Sequence, residues 1–96
     1  MEQVIDEPEV SVDVVSAMRH LAQQGASVRQ LAECVQSRLG LKPDALLQLL
    51  WYFMKAFHLS LADGLPIREW LGTANDKEID ALMLPAIQRT RGEWSA

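Results

Sequence analysis

The sequence predicts an all-α fold: a small bundle of four to five helices with a central, mostly buried third helix. Apolar residues recur with a period near 3.6, and no stretch alternates with the period of two that a half-buried strand requires. Glycine and proline separate the periodic stretches. The 96 residues suffice for one domain with one core. We therefore expect a flexible acidic leader over residues 1–10 and a single helical domain over residues 11–96.

The bounds of the first two helices are predicted from residues that typically begin and end helices. The first begins close to Ser11 and stops at Gly25, a residue suited to the left-handed conformation that follows many helices. The second opens at Ser27, where Gln30 completes a capping box, and stops at Gly40. In both segments the apolar side chains form one stripe opposite a polar face, which is typical of a surface helix.

The third helix is predicted to begin near Pro43, which suits a first turn, and to run to about Leu59. Asp44 complements the positive end of its dipole. At 100° per residue its apolar side chains cover an arc of roughly 200°, far wider than the stripe of a surface helix. This helix must be covered from two sides, either by other helices of the same chain or by a partner.

Three consecutive aromatic residues lie in the middle of this helix and cannot share one face. Phe53 falls in the centre of the apolar arc, so we expect it in the core. Trp51 and Tyr52 fall on the two margins of the arc. Their apolar rings and polar tips suit a boundary with water.

The segment after the third helix is predicted to turn at Asp63-Gly64 and then to form a short helix from Pro66 to Gly72. The residues expected to point inward from this short helix are Ile67, Trp70 and Leu71.

The last helix is predicted from about Asp76 to Arg91, with Asn75 and Glu78 as its capping pair. Its apolar stripe keeps phase across Pro85, which favours one kinked helix over two. The stripe consists of Ile79, Leu82, Met83, Ala86 and Ile87, and it extends to Trp94 if the helix continues. Leu84 falls off this stripe and is expected to be exposed.

Composition disfavours several classes of partner. The net charge is −4 and the nine Lys and Arg residues are scattered, so nucleic acid is not a favoured partner. No apolar stretch approaches the ~20 residues of a membrane span, and no membrane association is expected. The single cysteine, Cys34, excludes an intrachain disulfide. The acidic start without an apolar core is unlike a signal peptide, so we expect a cytoplasmic protein.

A search for catalytic chemistry assigns no residue. Neither histidine, His20 or His58, has the spacing of a metal-binding motif, and a zinc site is implausible with one cysteine. The paired carboxylates at 76, 78 and 80 begin a helix, where negative charge is stabilised anyway. No phosphate-binding or nucleophile motif is present. We expect no catalytic residue, no cofactor, no metal and no enzymatic activity.

Two alternative functions remain open at this point. The order of residue types in residues 27–59 resembles a helix-turn-helix motif. However, the helix after the turn is the most apolar in the chain and carries a single lysine. Such a domain would bind DNA or take part in transcription. A third hypothesis is a small enzyme that holds a substrate with the segment ADGLPIREW, residues 62–70.

The favoured hypothesis is a protein–protein interaction module, such as an adaptor, an inhibitor or immunity-type protein, or an assembly factor. It rests on the wide apolar arc of the third helix and on the enrichment of Trp and Tyr at binding surfaces. The partner is another protein, and a homodimer is a second form of the same hypothesis. The candidate interface residues are Trp51, Tyr52, His58, Leu65, Arg68, Trp70, Leu84 and Trp94.

Overall fold

The computed structural model describes residues 10–42, 45–70 and 75–94, and within these ranges all regular secondary structure is helical. The prediction of an all-α bundle is confirmed. Four helices have twelve residues or more and three are short. The helices are α1 (Val12–Gln23), α2 (Val28–Leu39), α3 (Leu46–Phe57), α4 (Leu61–Gly64), α5 (Pro66–Trp70), α6 (Asp76–Arg89) and α7 (Arg91–Trp94).

The predicted helix starts are confirmed by their hydrogen bonds. The Ser11 side chain accepts a hydrogen bond from the backbone N–H of Val14 at the start of α1. Ser27 and Gln30 form a complete capping box at α2, and Asn75 with Glu78 forms another at α6. These short-range bonds satisfy N–H groups that have no partner inside the helix.

The third helix starts later than predicted. Its first residue is Leu46, and Ala45 at the N-cap provides no side-chain hydrogen bond. The expected roles of Pro43 and Asp44 lie outside the described residues. The helix ends at Phe57 rather than at Leu59.

His58 ends α3 in the left-handed conformation, with φ 54° and ψ 43°. It is the one residue other than glycine with positive φ in the described parts of the chain. This conformation costs an L-residue about 1–2 kcal/mol. Its N–H donates to the carbonyl of Met54 and thereby closes the last turn.

The core is built around α3, which contacts α1, α2, α4, α5 and α7. Phe53 and Phe57 are fully buried. The Phe57 ring meets the ring of Trp94 edge to face, with centroids 5.0 Å apart. Other helices of the same chain therefore cover most of the wide apolar arc. The buried residues of α3 are Leu49, Leu50, Tyr52, Phe53, Ala56 and Phe57.

The segment between α3 and α6 is more helical than predicted. The expected turn at Asp63-Gly64 is instead the end of α4, which Ser60 caps by accepting from the Asp63 N–H. Gly64 is buried, and a Cβ atom there would lie 2.5 Å from Cδ1 of Leu50. Glycine thus allows α4 to approach α3 closely. Leu71 and Gly72, which were expected to complete the next helix, lie outside the described residues.

The last long helix runs through Pro85 as one helix, as predicted. It ends at Arg89, and α7 follows as a separate turn instead of a continuation. The prediction that Leu84 is exposed is wrong, because Leu84 packs against the core. Asp80, one turn earlier on the same face, accepts a hydrogen bond from the Val28 N–H at 2.9 Å, so this face of α6 meets α2.

Two further residues test their predicted positions. Leu82 was placed on the buried stripe of the last helix, but its side chain is 58% exposed. Val10 was assigned to the leader as well as to the apolar stripe of the first helix, and its partial burial against the core agrees with the stripe. The stripe drawn from sequence was therefore too wide on one side of α6, and the domain includes the residue before Ser11.

The contrast between two neighbouring aromatic residues gives a test of this packing. We expect Phe53→Ala to lower the free energy of unfolding by about 3–5 kcal/mol, because it leaves a cavity in the core. Trp51→Ala removes a half-buried ring and should cost roughly 1 kcal/mol or less. Urea denaturation of both variants measures the difference. Equal losses would contradict the placement of Trp51 at the edge of the core.

Candidate functional site

An open apolar groove lies between the amino-terminal half of α3 and the pair α4–α5. Its volume is about 450 Å³. Five of the six residues that line it are leucines, and the sixth is an arginine. The lining residues are Leu46, Leu47, Leu50, Leu61, Leu65 and Arg68.

The leucines of this groove are unusually exposed for a folded domain. The exposed fraction is 74% for Leu47, 56% for Leu61 and 39% for Leu65. Leu50, at 4%, is the buried member of the lining set. Single exposed leucines are common on protein surfaces, but a contiguous set is typical of a binding site.

Local sequence explains how the groove forms. Leu46 and Leu50 are four residues apart on α3, and Leu61 and Leu65 are four apart across α4, so each pair shares one helix face. Because Gly64 lets α4 lie close to Leu50, the two leucine pairs form opposite walls of one groove.

Arg68 is the charged member of the groove lining. Its side chain is exposed, and no carboxylate lies within ion-pair distance of it in the ranges that the structure describes. The acidic residue of α4, Asp63, already pairs with Arg89 at 2.8 Å. The guanidinium of Arg68 is therefore available to a group outside the described residues.

Trp51 borders the groove on α3, one turn after Leu47. It is half-buried, as its predicted position at the margin of the arc requires. The Lys55 ammonium lies 5.0 Å from the centroid of its ring, a cation–π contact. Trp51 thus extends the apolar surface of Leu47 along α3.

Three aromatic residues proposed as interface candidates are buried in this chain: Tyr52, Trp70 and Trp94. Their assignment to a surface is corrected, and the reason is the same for each. A polar atom on every ring has a partner inside the chain, so none of the three needs contact with water. The burial of Trp70 agrees with its predicted inward position.

The partners of these three rings come from distant or later parts of the chain. The Tyr52 hydroxyl accepts a hydrogen bond from the Ser11 N–H at 2.7 Å. The Trp70 indole N–H donates to Asp76 Oδ1 at 3.1 Å. The Trp94 indole N–H donates to the carbonyl of Ile87, also at 3.1 Å.

The remaining candidates are divided by the fold. Leu65 and Arg68 line the groove and Trp51 borders it, whereas Leu84 packs against the core on another side. His58 is exposed at the opposite end of α3, where its Nδ1 lies 3.9 Å from Glu93 Oε1. Whether any of these residues contacts a partner stays a prediction.

Sequence reasoning did not select four of the lining leucines, Leu46, Leu47, Leu50 and Leu61. The first three belong to the apolar arc that was recognised as too wide for one contact. The excessive width of the arc therefore indicated that an apolar surface needs a second cover. It did not show which part of the arc the other helices would leave exposed.

A polar junction ties α2, α5 and α6 together away from the groove. Arg29 donates to both carboxylate oxygens of Asp76, at 2.7 and 3.0 Å. Its guanidinium carbon lies 5.3 Å from the centroid of the Trp70 ring. The hydrogen bond from Arg29, followed by that from Trp70, lowers the pKa of Asp76 below its ordinary value. The pair is half-exposed, so its contribution to stability is modest.

The described residues contain neither a cluster of metal-binding side chains nor a membrane-spanning helix. Within residues 10–42, 45–70 and 75–94, no three His, Cys, Asp or Glu side chains come together as metal ligands. No helix in the same ranges has the length and apolar character needed to cross a membrane.

Comparison with models of protein families, with curated proteins and with solved structures gives no significant match for this chain.

The lowered pKa of Asp76 predicts a specific dependence of stability on acid. A carboxylate with a depressed folded-state pKa stabilises the fold above its unfolded-state pKa, and this contribution is lost as the pH falls through the folded-state pKa. We expect the free energy of unfolding of wild type to exceed that of Asp76→Asn near neutral pH, and this difference to disappear as the pH falls below about 4. Urea denaturation at a series of pH values measures the difference.

Arg29→Gln is the matched control for this titration, because it removes the cation and keeps the carboxylate. In the Arg29→Gln background, adding Asp76→Asn should change the pH dependence of the free energy of unfolding much less than it does in wild type. A difference between wild type and Asp76→Asn that stays constant from pH 7 to pH 2 would contradict the assignment.

Proposed function

We propose that this protein is a non-enzymatic protein–protein interaction module that binds another protein through the leucine groove of α3, α4 and α5. An adaptor, an inhibitor or immunity-type protein and an assembly factor all act in this way. The observation that carries the proposal is the contiguous set of exposed leucines beside Arg68, whose guanidinium has no ion-pair partner among the described residues.

The energetics of apolar burial support this role. Complete burial of a leucine side chain contributes about 1.5–3 kcal/mol, so covering Leu47, Leu61 and Leu65 would supply a substantial part of a binding free energy. Trp51 adds a large ring at the border, of the kind that is enriched in binding hot spots.

The position of α3 disfavours the alternative of DNA binding. In a helix-turn-helix over residues 27–59, α3 would enter the major groove and present basic and amide side chains to base edges. Here α3 is the central helix of the bundle, and six of its twelve residues are buried. Its one basic residue, Lys55, lies over the ring of Trp51.

The third hypothesis assigned a substrate to residues 62–70. This segment forms one wall of the groove through Leu65 and Arg68, which fits a binding surface. We place the proposed complex in the cytoplasm, since the chain has a single cysteine and cannot form an intrachain disulfide.

Paired substitutions at two exposed leucines test the proposal. A photo-crosslinking amino acid at position 47 should capture a partner in the native host, and the same amino acid at position 82 should not. With the complex rebuilt from purified components, we expect Leu47→Asp to weaken binding at least about tenfold, since it places a charge against an apolar contact.

Leu82→Asp is the control, because Leu82 is comparably exposed but lies outside the groove lining. It should leave the affinity within about twofold of wild type. Equal effects of the two substitutions, or crosslinks of position 47 only to a second copy of the chain, would contradict binding of another protein in the groove.

A further inference from the structure

The walls of the groove restrict how a partner can be recognised. Both walls are helices, so neither wall presents the row of unpaired backbone groups that the edge of a sheet has. Since no strand occurs in the described parts of the chain, no sheet edge is offered there to an extended peptide. Recognition in the groove therefore depends on side chains.

Among side-chain modes, the lining favours a helix. Grooves that bind polyproline segments are lined by aromatic rings, whereas this one is lined by leucines, and Trp51 lies only at its border. Leucine-lined grooves suit an amphipathic helix whose apolar side chains recur at i, i+3 or i+4, and i+7.

Charge complementarity indicates the polar part of the partner. Among the described residues of the lining Arg68 alone is charged, and it is unpaired within the same parts of the chain. An approaching carboxylate gains an ion pair at this rim, whereas an approaching lysine or arginine is repelled. Arginine in particular suits two-point contact with a carboxylate.

We infer that the occupant of the groove is an amphipathic helix of a partner protein that places leucine-sized side chains between α3 and α4–α5 and a glutamate or aspartate against Arg68. This inference rests on the proposed function and specifies the partner. It assigns Arg68 the role of selecting acidic over basic helices at the groove rim.

A second copy of the chain fits this surface poorly. A two-fold interface brings the same patch of both copies together, so the patch must complement itself. The groove is concave, and none of its described lining residues is a carboxylate that could meet the Arg68 of another copy. A fatty acid fits poorly as well, because Leu47 and Leu61 remain more than half exposed and would leave much of such a ligand in water.

Parallel selections from one displayed library of 16-residue helical peptides test the inference. Wild type should enrich peptides with an apolar stripe at i, i+4 and i+7 and an acid beside it. Arg68→Glu should enrich the same stripe with lysine or arginine at the position of the acid. Replacing the acid of a selected peptide with lysine should lower its affinity for wild type and raise its affinity for Arg68→Glu. Each change should be up to about fivefold.

Further outcomes separate this inference from the proposed function. If wild type and Arg68→Glu enrich the same peptides, or if neither enriches a helical apolar stripe, the inference of an acidic amphipathic helix as partner is wrong. If the enriched peptides bind Leu47→Asp as tightly as Leu82→Asp, the groove itself is not the binding surface. Loss with Leu47→Asp alone, together with the charge exchange at Arg68, supports both statements.

Discussion

The buried carboxyl-terminal end of α3 is the constraint on which the rest of the bundle depends. The last carbonyl groups of a helix accept no hydrogen bond from within the helix. Burying such a group without a donor would cost about 1–3 kcal/mol. Arg19 of α1 donates to the carbonyl of Ala56 at 2.7 Å, and the buried hydroxyl of Thr90 donates to that of Phe57 at 2.6 Å. Helix α1 and the junction of α6 with α7 therefore both contact this end of α3, where the rings of Phe57 and Trp94 meet edge to face.

Coverage of α3 is uneven as a consequence. Its carboxyl-terminal half is enclosed by elements that also satisfy its backbone, whereas one face of its amino-terminal half lies beside the short helices α4 and α5. These two helices are too short to cover the leucines at positions 46 and 47 completely, and they add exposed leucines of their own. The groove is therefore the part of the apolar arc that the described helices leave open, and among its described lining residues Arg68 carries the charge.

Much of this architecture could be predicted from sequence because it depends on neighbours along the chain. The capping boxes at Ser27 and Asn75 use residues three positions apart, and periodicity alone placed Phe53 in the core. The errors concern partners that are far away in sequence. Tyr52 is buried because Ser11, 41 residues earlier, donates to its hydroxyl. Leu84 is partly buried against the core although it falls off the apolar stripe that periodicity predicts for this helix.

Native-state hydrogen exchange of the α3 amides tests the central claim most directly. If α3 is held from several sides and secured at its carboxyl-terminal end, the amides of Phe53, Ala56 and Phe57 should exchange only through global unfolding. Their exchange free energies should equal the free energy of unfolding measured with urea, while the amides of α4 and α5 beside the groove exchange through smaller openings. Exchange of the three α3 amides by local opening, at free energies as low as those of α4, would contradict the account.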